Sequence, residues 1–168
     1  MASANTPVPI VLCGAKVALG LESANFMKPE FEGIELVDLF PDVSFSLTYK
    51  VIHFCASVDA ACAEIPRLLS KEQPQPVEEN EVRTHNYSAT PKAILVGRTY
   101  TDDKLQAVRD SCKGKAEVSW VVPGEAASKN ETIAAGHATR VATNMENVLN
   151  ELCSTGEIGK EGLYKYSF

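Results

Sequence analysis

The chain lacks the features that would tie it to a membrane. Its 168 residues contain no run approaching the roughly 20 apolar residues that span a bilayer. The opening stretch MASANTPVPIVLCG has no basic segment before its short apolar run, so it does not resemble a secretory signal. The sequence therefore predicts a cytoplasmic protein without a membrane partner.

Clusters of positive charge are also missing. The chain has 16 Lys and Arg against 22 Asp and Glu, a net charge of -6, and no basic run. Binding to nucleic acid depends on clustered Lys and Arg that neutralise phosphates, so we expect no nucleic-acid partner. The hydrophobic share of 45% is typical of a globular protein, and the length fits a single domain over residues 1–168.

The cysteines form no recognisable disulfide framework or zinc motif. There are five of them, an odd number, widely spaced and without a Cys-x-x-Cys pair. We interpret them as free thiols in a reducing compartment, and their spacing predicts no metal site. They are Cys13, Cys55, Cys62, Cys112 and Cys153.

Short apolar runs alternate with helical stretches along the chain. Strands such as AILVG are continuously apolar, which is typical of a parallel sheet covered on both faces. The alternation predicts an α/β three-layer sandwich with a four- or five-stranded, mainly parallel sheet, Rossmann-like or flavodoxin-like. The predicted strands are 8–14, 49–56, 92–100 and 116–124, and the predicted helices are 15–27, 57–72, 101–114 and 130–156.

Three features punctuate this pattern. Pro66 lies inside the second predicted helix and predicts a kink or a split there. Residues 73–91 are polar and rich in proline, which indicates a surface loop. The last residues, EIGKEGLYKYSF, are predicted to pack through their aromatic side chains or to fray.

Residues 32–49 allow two interpretations. In the first, IELVDLF is a further strand, and Asp38 at its end accepts a ribose hydroxyl in the manner of a dinucleotide-binding fold. In the second, the segment is an insertion that presents Phe40, Phe45 and Tyr49 as an apolar flap.

The first strand-to-helix turn has the form of a phosphate loop. Gly14 would allow close approach of a ligand, Gly20 would allow close packing, and Lys16 would add charge. The alternative is an ordinary turn, because Gly-x-Gly-x-x-Gly is missing. A working loop would take NAD(P) or another nucleotide. The predicted binding residues are Gly14, Ala15, Lys16, Gly20, Asp38, Cys55, Gly97, Pro123 and Gly124.

A nucleophilic site is the other chemistry considered. Cys13 and Cys55 end two strands, and the two-residue period places His53 on the same face as Cys55. A thiol with a neighbouring base is the minimum for nucleophilic catalysis, but buried cysteines and core histidines are far commoner. Trp120, the lone tryptophan, is predicted to lie in the core. No catalytic set is complete, so the sequence favours a protein that is not an enzyme.

Several segments resemble one family of small proteins. VPIVLCG, KPEF, VIHF, AEIPRLLS and LYKY are similar to segments of small cytosolic α/β proteins of filamentous fungi. Some members of that family resemble an elicitor of the plant hypersensitive response. The resemblance implies a fungal protein that acts through recognition of its surface by a protein partner.

A second resemblance concerns two strands. KVIHFCA and SWVVPG are similar to strands of extended short-chain dehydrogenases and their NmrA-like relatives. The chain departs from that family in lacking the Gly-x-x-Gly-x-x-Gly loop and a Tyr-x-x-x-Lys pair. This resemblance implies a degenerate NAD(P)-binding protein without hydride transfer, or a helper in secondary metabolism.

Two functions therefore follow from the sequence. The favoured one is recognition of an exposed patch, with residues 40–49 and 73–91 as contacts. The alternative is binding of a nucleotide or phosphorylated metabolite at the carboxyl edge of the sheet, which predicts a concave pocket with amides of residues 14–17 directed into it. A homodimer would cover the sheet edges.

Overall fold

A computed structural model describes residues 7–15, 49–75, 87–124 and 137–167. These residues form a five-stranded sheet and three helices. The strands are β1 (Val8–Cys13), β2 (Tyr49–Cys55), β3 (Ala93–Val96), β4 (Ser119–Pro123) and β5 (Gly162–Tyr166). The helices are α1 (Val58–Leu69), α2 (Asp102–Ser111) and α3 (His137–Thr155).

The sheet is parallel throughout, with the strand order β2-β1-β3-β4-β5. This is the flavodoxin-like order of a doubly wound fold, in which the direction of strand addition reverses between β1 and β3. The predicted α/β three-layer sandwich is therefore confirmed, with five strands in the sheet.

The two faces of the sheet are covered by different helices. On one face, Leu12 and Leu95 of the sheet belong to a core cluster with Leu149 of α3. On the other face, Val11 and Trp120 of the sheet form a second cluster with residues of α1 and α2. Both faces are therefore apolar, which explains the continuously apolar strands.

The helices that follow β2 and β3 begin as the sequence predicts. Ser57 is the N-cap of α1, and its hydroxyl accepts a hydrogen bond from the amide of Ala60 at 3.1 Å. Thr101 is the N-cap of α2, but its side chain makes no capping hydrogen bond. Pro66 lies inside α1 without splitting it, because the helix continues to Leu69.

Strand β5 differs from the prediction of a packed or frayed tail. Residues 162–166 pair with β4 and give the sheet its fifth strand. Tyr166 is buried, whereas Leu163 is 46% exposed, so this edge strand is covered on one face only. Gly156 ends the preceding helix with φ +71°, a conformation that glycine adopts without strain.

Two predicted segments fall largely outside the described residues. Of residues 32–49, the structure describes Tyr49, which belongs to β2. Of residues 73–91, it describes 73–75 and 87–91, and neither piece is helix or strand. No helix of the described residues is long and apolar enough to cross a membrane.

Candidate functional site

The carboxyl ends of the parallel strands meet at one edge of the sheet, and the strand order makes the boundary between β1 and β3 its topological switch point, where doubly wound folds form a crevice. Gly14 follows β1 and Gly97 follows β3, both half-buried. A Cβ atom at position 97 would lie 3.2 Å from the carbonyl oxygen of Cys13 and 3.8 Å from the Cα atom of Gly14. Both glycines were predicted to lie at this edge, and glycine at position 97 permits this close approach of the two strands.

The amide groups of the edge glycines are directed to neighbouring strands. Gly14 N–H donates to the carbonyl oxygen of Cys55 at 3.0 Å, and Gly97 N–H donates to that of Cys13 at 2.8 Å. The prediction that the Gly14 amide points toward a ligand is therefore wrong, because this amide extends the β1–β2 pairing. Ala15 is exposed beside it. Lys16, Gly20 and Asp38 lie outside the described residues.

At the end of β4, a glycine amide is again hydrogen-bonded to a neighbouring strand. Gly124 N–H donates to the carbonyl oxygen of Tyr166 at 2.8 Å, and Pro123 is the last residue of β4. A Cβ atom at position 124 would lie 3.1 Å from that oxygen, so glycine permits the close approach. Pro123 and Gly124 thus lie at the predicted edge, but beside β5 rather than beside Gly14.

A positive charge lies at this edge next to the crevice. Arg98 follows Gly97 and is half-buried. Burial raises the pKa of the Tyr166 hydroxyl above its ordinary value, and the nearby charge of Arg98 opposes that shift. The edge therefore carries a cation close to Gly97.

Strand β2 contains a β-bulge that decides which side chains lie beneath the edge. Ile10 pairs with Val51 and Val11 pairs with His53, so Ile52 is the extra residue. In a regular strand His53 would share the face of Val51, toward α3. The bulge reverses the alternation and turns His53 toward α1, as bulges commonly do near functional sites.

His53 makes two side-chain contacts on that face, a buried one and a partly buried one. Its Nε2 atom is hydrogen-bonded to Oε2 of Glu64 from α1, and its Nδ1 atom lies 3.0 Å from the hydroxyl of Tyr87. The rings of His53 and Tyr87 meet edge to face, with centroids 5.7 Å apart. His53 and Glu64 are 0% and 1% exposed, so the hydrogen-bonded pair of these two residues is fully buried.

Two cysteines adjoin the pair. The Sγ atom of Cys55 lies 3.8 Å from Oε2 of Glu64, and Cys13 is the register partner of Cys55 across β1 and β2. The predicted grouping of Cys13, Cys55 and His53 therefore exists, with Glu64 as a further member. Both cysteines are buried, at 4% and 0% exposure.

The cluster perturbs the pKa values of its members. Burial disfavours the imidazolium form of His53, but contacts with Cys55 and Glu64 outweigh burial and raise the pKa of His53 to about 9. Contact with Cys13 and burial raise the pKa of the Cys55 thiol well above its ordinary value, although His53 lowers it. A buried thiol of raised pKa is a poor nucleophile, so the cluster does not fit a catalytic cysteine.

The same atoms form a set of metal-ligand type. His53, Cys55 and Glu64 each offer one ligand atom, and these atoms all lie within 4.8 Å of one another. Glu64 and Tyr87 were missed by the sequence analysis. One signal for Glu64 existed, because helical spacing places it on the apolar face of α1 with Ala60, Ala61 and Leu68.

The other residues that the sequence analysis singled out lie in the core or are free cysteines. Trp120 is 1% exposed in the core, as predicted. Tyr49 is 2% exposed, so its place in an exposed apolar flap is not supported. All five cysteines are free, and three of them, Cys62, Cys112 and Cys153, are half-buried rather than buried.

A cavity of about 310 Å³ lies at the opposite, amino edge of the sheet, between α2 and the start of β4. Its lining has equal numbers of basic and acidic residues, and two ion pairs lie among them, with Arg109 Nη2 2.7 Å from Glu161 and Lys113 Nζ 2.7 Å from Asp110. Because these charges are matched, the cavity offers no excess charge to a ligand. It also lies away from the edge at which the sequence predicts binding.

Comparison with known proteins provides no relative for this chain. No protein-family model, no curated protein and no solved structure matches it. Inference about its function therefore starts from the fold and from the geometry of the carboxyl edge.

Proposed function

We propose that the protein binds a nucleotide or another small phosphorylated molecule in the crevice between the ends of β1 and β3. The observation that carries the proposal is the strand order, which places the topological switch point where Gly14 and Gly97 meet. Open α/β sheets bind their ligands outside the carboxyl ends of the strands at this point.

The chemistry of the edge supports an anionic ligand. Arg98 is a cation beside Gly97, and the backbone next to it includes half-buried Gly14 and exposed Ala15. Because the amides of both glycines donate to neighbouring strands, these two amides do not bind the phosphate, and the proposed contact is with the Arg98 side chain. The ligand class includes NAD(P), flavin mononucleotide and sugar phosphates. We propose binding without an assigned reaction.

A thermal-shift screen of the purified protein tests this proposal. The compounds are AMP, ATP, NAD(P), flavin mononucleotide and sugar phosphates, each paired with its form lacking phosphate. A ligand at 100 times its Kd stabilises the folded state by about 2.7 kcal/mol, which raises Tm by several degrees. We expect a shift with at least one phosphorylated compound and a smaller shift with its unphosphorylated partner.

Matched variants locate the site. A Cβ atom at position 14 would make an ordinary contact of 3.7 Å with the ring of Phe54, so the backbone accepts a side chain there, and Gly14→Val adds bulk beside the proposed site. It should abolish the shift, and Arg98→Gln should weaken binding about tenfold. Ala116→Val, the same kind of enlargement at the exposed amino edge, should leave the shift unchanged. A panel without any shift, or an unchanged shift in Gly14→Val, would contradict the proposal.

Recognition of an exposed patch by a protein partner is the alternative, and it would place the protein beside the fungal elicitor-like proteins that its sequence resembles. Within the described parts of the chain, Leu163 on the edge strand β5 is the one large hydrophobic side chain that is exposed. The apolar area exposed by this single residue is smaller than the contiguous patch of several hundred Å² that marks a docking surface. The ligand screen therefore comes first, and capture of a partner follows a negative result.

A further inference from the structure

We propose that His53, Cys55 and Glu64 form a binding site for one zinc ion. The proposal is independent of ligand binding at the sheet edge. It rests on the position of three different ligand types around one buried point, which is reached from both β2 and α1.

The first support is geometric. The ligand atoms of the three residues lie within 4.8 Å of one another, and Sγ of Cys55 is 3.8 Å from Oε2 of Glu64. Ligand atoms bound to one zinc ion lie about 3–4 Å apart, given Zn–S and Zn–N distances of about 2.3 and 2.1 Å. The ion would take the place of the hydrogen bond between His53 and Glu64, which must separate to admit it.

The second support is the balance of charge. All three residues are at most 1% exposed, and a net charge in such a place is costly. A thiolate from Cys55, a carboxylate from Glu64 and a neutral imidazole from His53 cancel the two positive charges of the ion. Cys13, which contacts the Cys55 thiol, is not part of the ligand set.

The third support is the hydrogen bonding and backbone geometry around the ligands. Histidines that bind metal through one ring nitrogen are held by a hydrogen bond at the other, which orients the ring. Here Nε2 of His53 faces Glu64, while Nδ1 lies 3.0 Å from the hydroxyl of Tyr87. The β-bulge at Ile52 is what turns His53 and Cys55 toward α1, so the backbone irregularity and the ligand set belong together.

The donor set selects the metal. One sulfur, one nitrogen and one oxygen suit zinc, a borderline-soft ion that accepts all three. Calcium and magnesium prefer oxygen ligands alone, so a thiol and an imidazole disfavour them. Three protein ligands leave a fourth position on a tetrahedral ion.

Cobalt titration of the metal-free full-length protein is the first test. The protein is treated with a chelator, kept reduced at pH 8 and titrated with Co²⁺. We expect binding of one equivalent, with a thiolate-to-cobalt charge-transfer band and the visible spectrum of a tetrahedral site. One equivalent of Zn²⁺ should abolish both signals, and Zn²⁺ alone should raise Tm by roughly 5 °C or more at saturating concentration.

Variants identify the ligands. Cys55→Ser should lose the charge-transfer band, and Glu64→Gln should weaken Co²⁺ binding at least tenfold. Cys62→Ser, on α1 but outside the ligand set, and Cys13→Ser should retain the band and the stoichiometry. Circular dichroism checks that each variant is folded.

X-ray absorption on the zinc-loaded wild-type protein keeps the test decisive if a variant does not fold. The expected first shell has one sulfur at about 2.3 Å and nitrogen or oxygen at about 2.0–2.1 Å. The proposal is overturned if the wild-type protein binds no stoichiometric Co²⁺ or Zn²⁺, if Cys55→Ser keeps an unchanged charge-transfer band, or if the zinc shell contains no sulfur.

Discussion

The hydroxyl group of Tyr166 donates a hydrogen bond of 2.9 Å to the main-chain carbonyl oxygen of Val96. Tyr166 ends the edge strand β5, and Val96 ends β3, two strands away in the sheet. The side chain therefore passes β4 and fixes the edge strand to the end of the strand that borders the proposed ligand crevice.

Tyr166→Phe should lower the free energy of unfolding by about 1–2 kcal/mol. The substitution removes a buried hydrogen bond and leaves the carbonyl group of Val96 without that partner. Urea denaturation followed by far-UV circular dichroism measures the change. Tyr164→Phe, the same substitution on a half-exposed side chain of β5, is the control and should change stability by less than about 0.5 kcal/mol.

Ser57→Ala should destabilise the protein by about 1 kcal/mol. Its hydroxyl accepts the hydrogen bond from Ala60 N–H that caps α1, and alanine cannot replace it. Thr101→Ala at the start of α2 is the matched control, because the Thr101 side chain makes no capping hydrogen bond. Equal losses for the two variants in urea denaturation would show that the hydroxyl of Ser57 has no capping role.

The Cys112 thiol should react slowly with iodoacetamide in the folded protein. Burial raises its pKa to about 11, more than a hydrogen bond with Ser111 lowers it. At pH 8 the thiolate fraction is then about 100-fold below that of an ordinary thiol, and alkylation slows accordingly. Peptide mass spectrometry measures the rate, with the urea-unfolded chain as the reference.

The pH dependence of that alkylation gives a second reading. With the pKa near 11, the rate at Cys112 should rise about tenfold per pH unit up to about pH 10. A rate that levels off at pH 9 contradicts the shift.

Because the folded pKa of Cys112 lies above the unfolded one, the contribution of this thiol to stability is present below the unfolded pKa and is lost as the pH rises toward 11.

In the metal-free protein, Glu64→Leu should cost about 3 kcal/mol or more. The change leaves His53 buried without its charged partner. The double variant His53→Phe/Glu64→Leu should recover much of this loss, because both polar groups are then replaced by apolar ones. A double-mutant cycle with a chelator present measures the coupling, and additive losses would mean that the pair is not coupled.

Deletion of Ile52 should be tolerated better than deletion of Leu95. Ile52 is the extra residue of the bulge, so its removal keeps the partners and faces of the residues on both sides. Leu95 lies in regular pairing, and its removal turns one neighbour to the wrong face. The first variant should fold with lowered stability and the second should not fold, as judged by circular dichroism. Equal behaviour of the two would contradict the bulge assignment.

The layered fold was predictable because its signal is local. A strand such as AILVG is apolar at every position, which indicates cover on both faces whatever the rest of the chain does. Strand β5 carried a weaker signal, since Leu163 is exposed and Tyr166 is buried on a short edge strand beside glycines. Its pairing with β4 depends on long-range contacts that periodicity does not report.

The buried cluster was only half predictable. The two-residue period placed His53 and Cys55 on one face, but the bulge at Ile52 decides which face. In YKVIHFC nearly every side chain is apolar, so an extra residue leaves no mark on the pattern. Glu64 approaches His53 only after α1 has packed on the sheet, and eleven positions separate the two residues along the chain.

The strand order has a consequence for synthesis on the ribosome. Beyond β1 the described strands are added outward in one direction, with β3 beside β1, β4 beside β3 and β5 beside β4. The growing sheet thus has a neighbour ready for each new strand, but the outer side of β4 stays unpaired until residues 162–166 have emerged. During that interval the backbone groups of β4 are open to pairing with another chain, and the sheet face of Leu95 and Val121 still waits for α3, so a chaperone would act on this side of the nascent sheet.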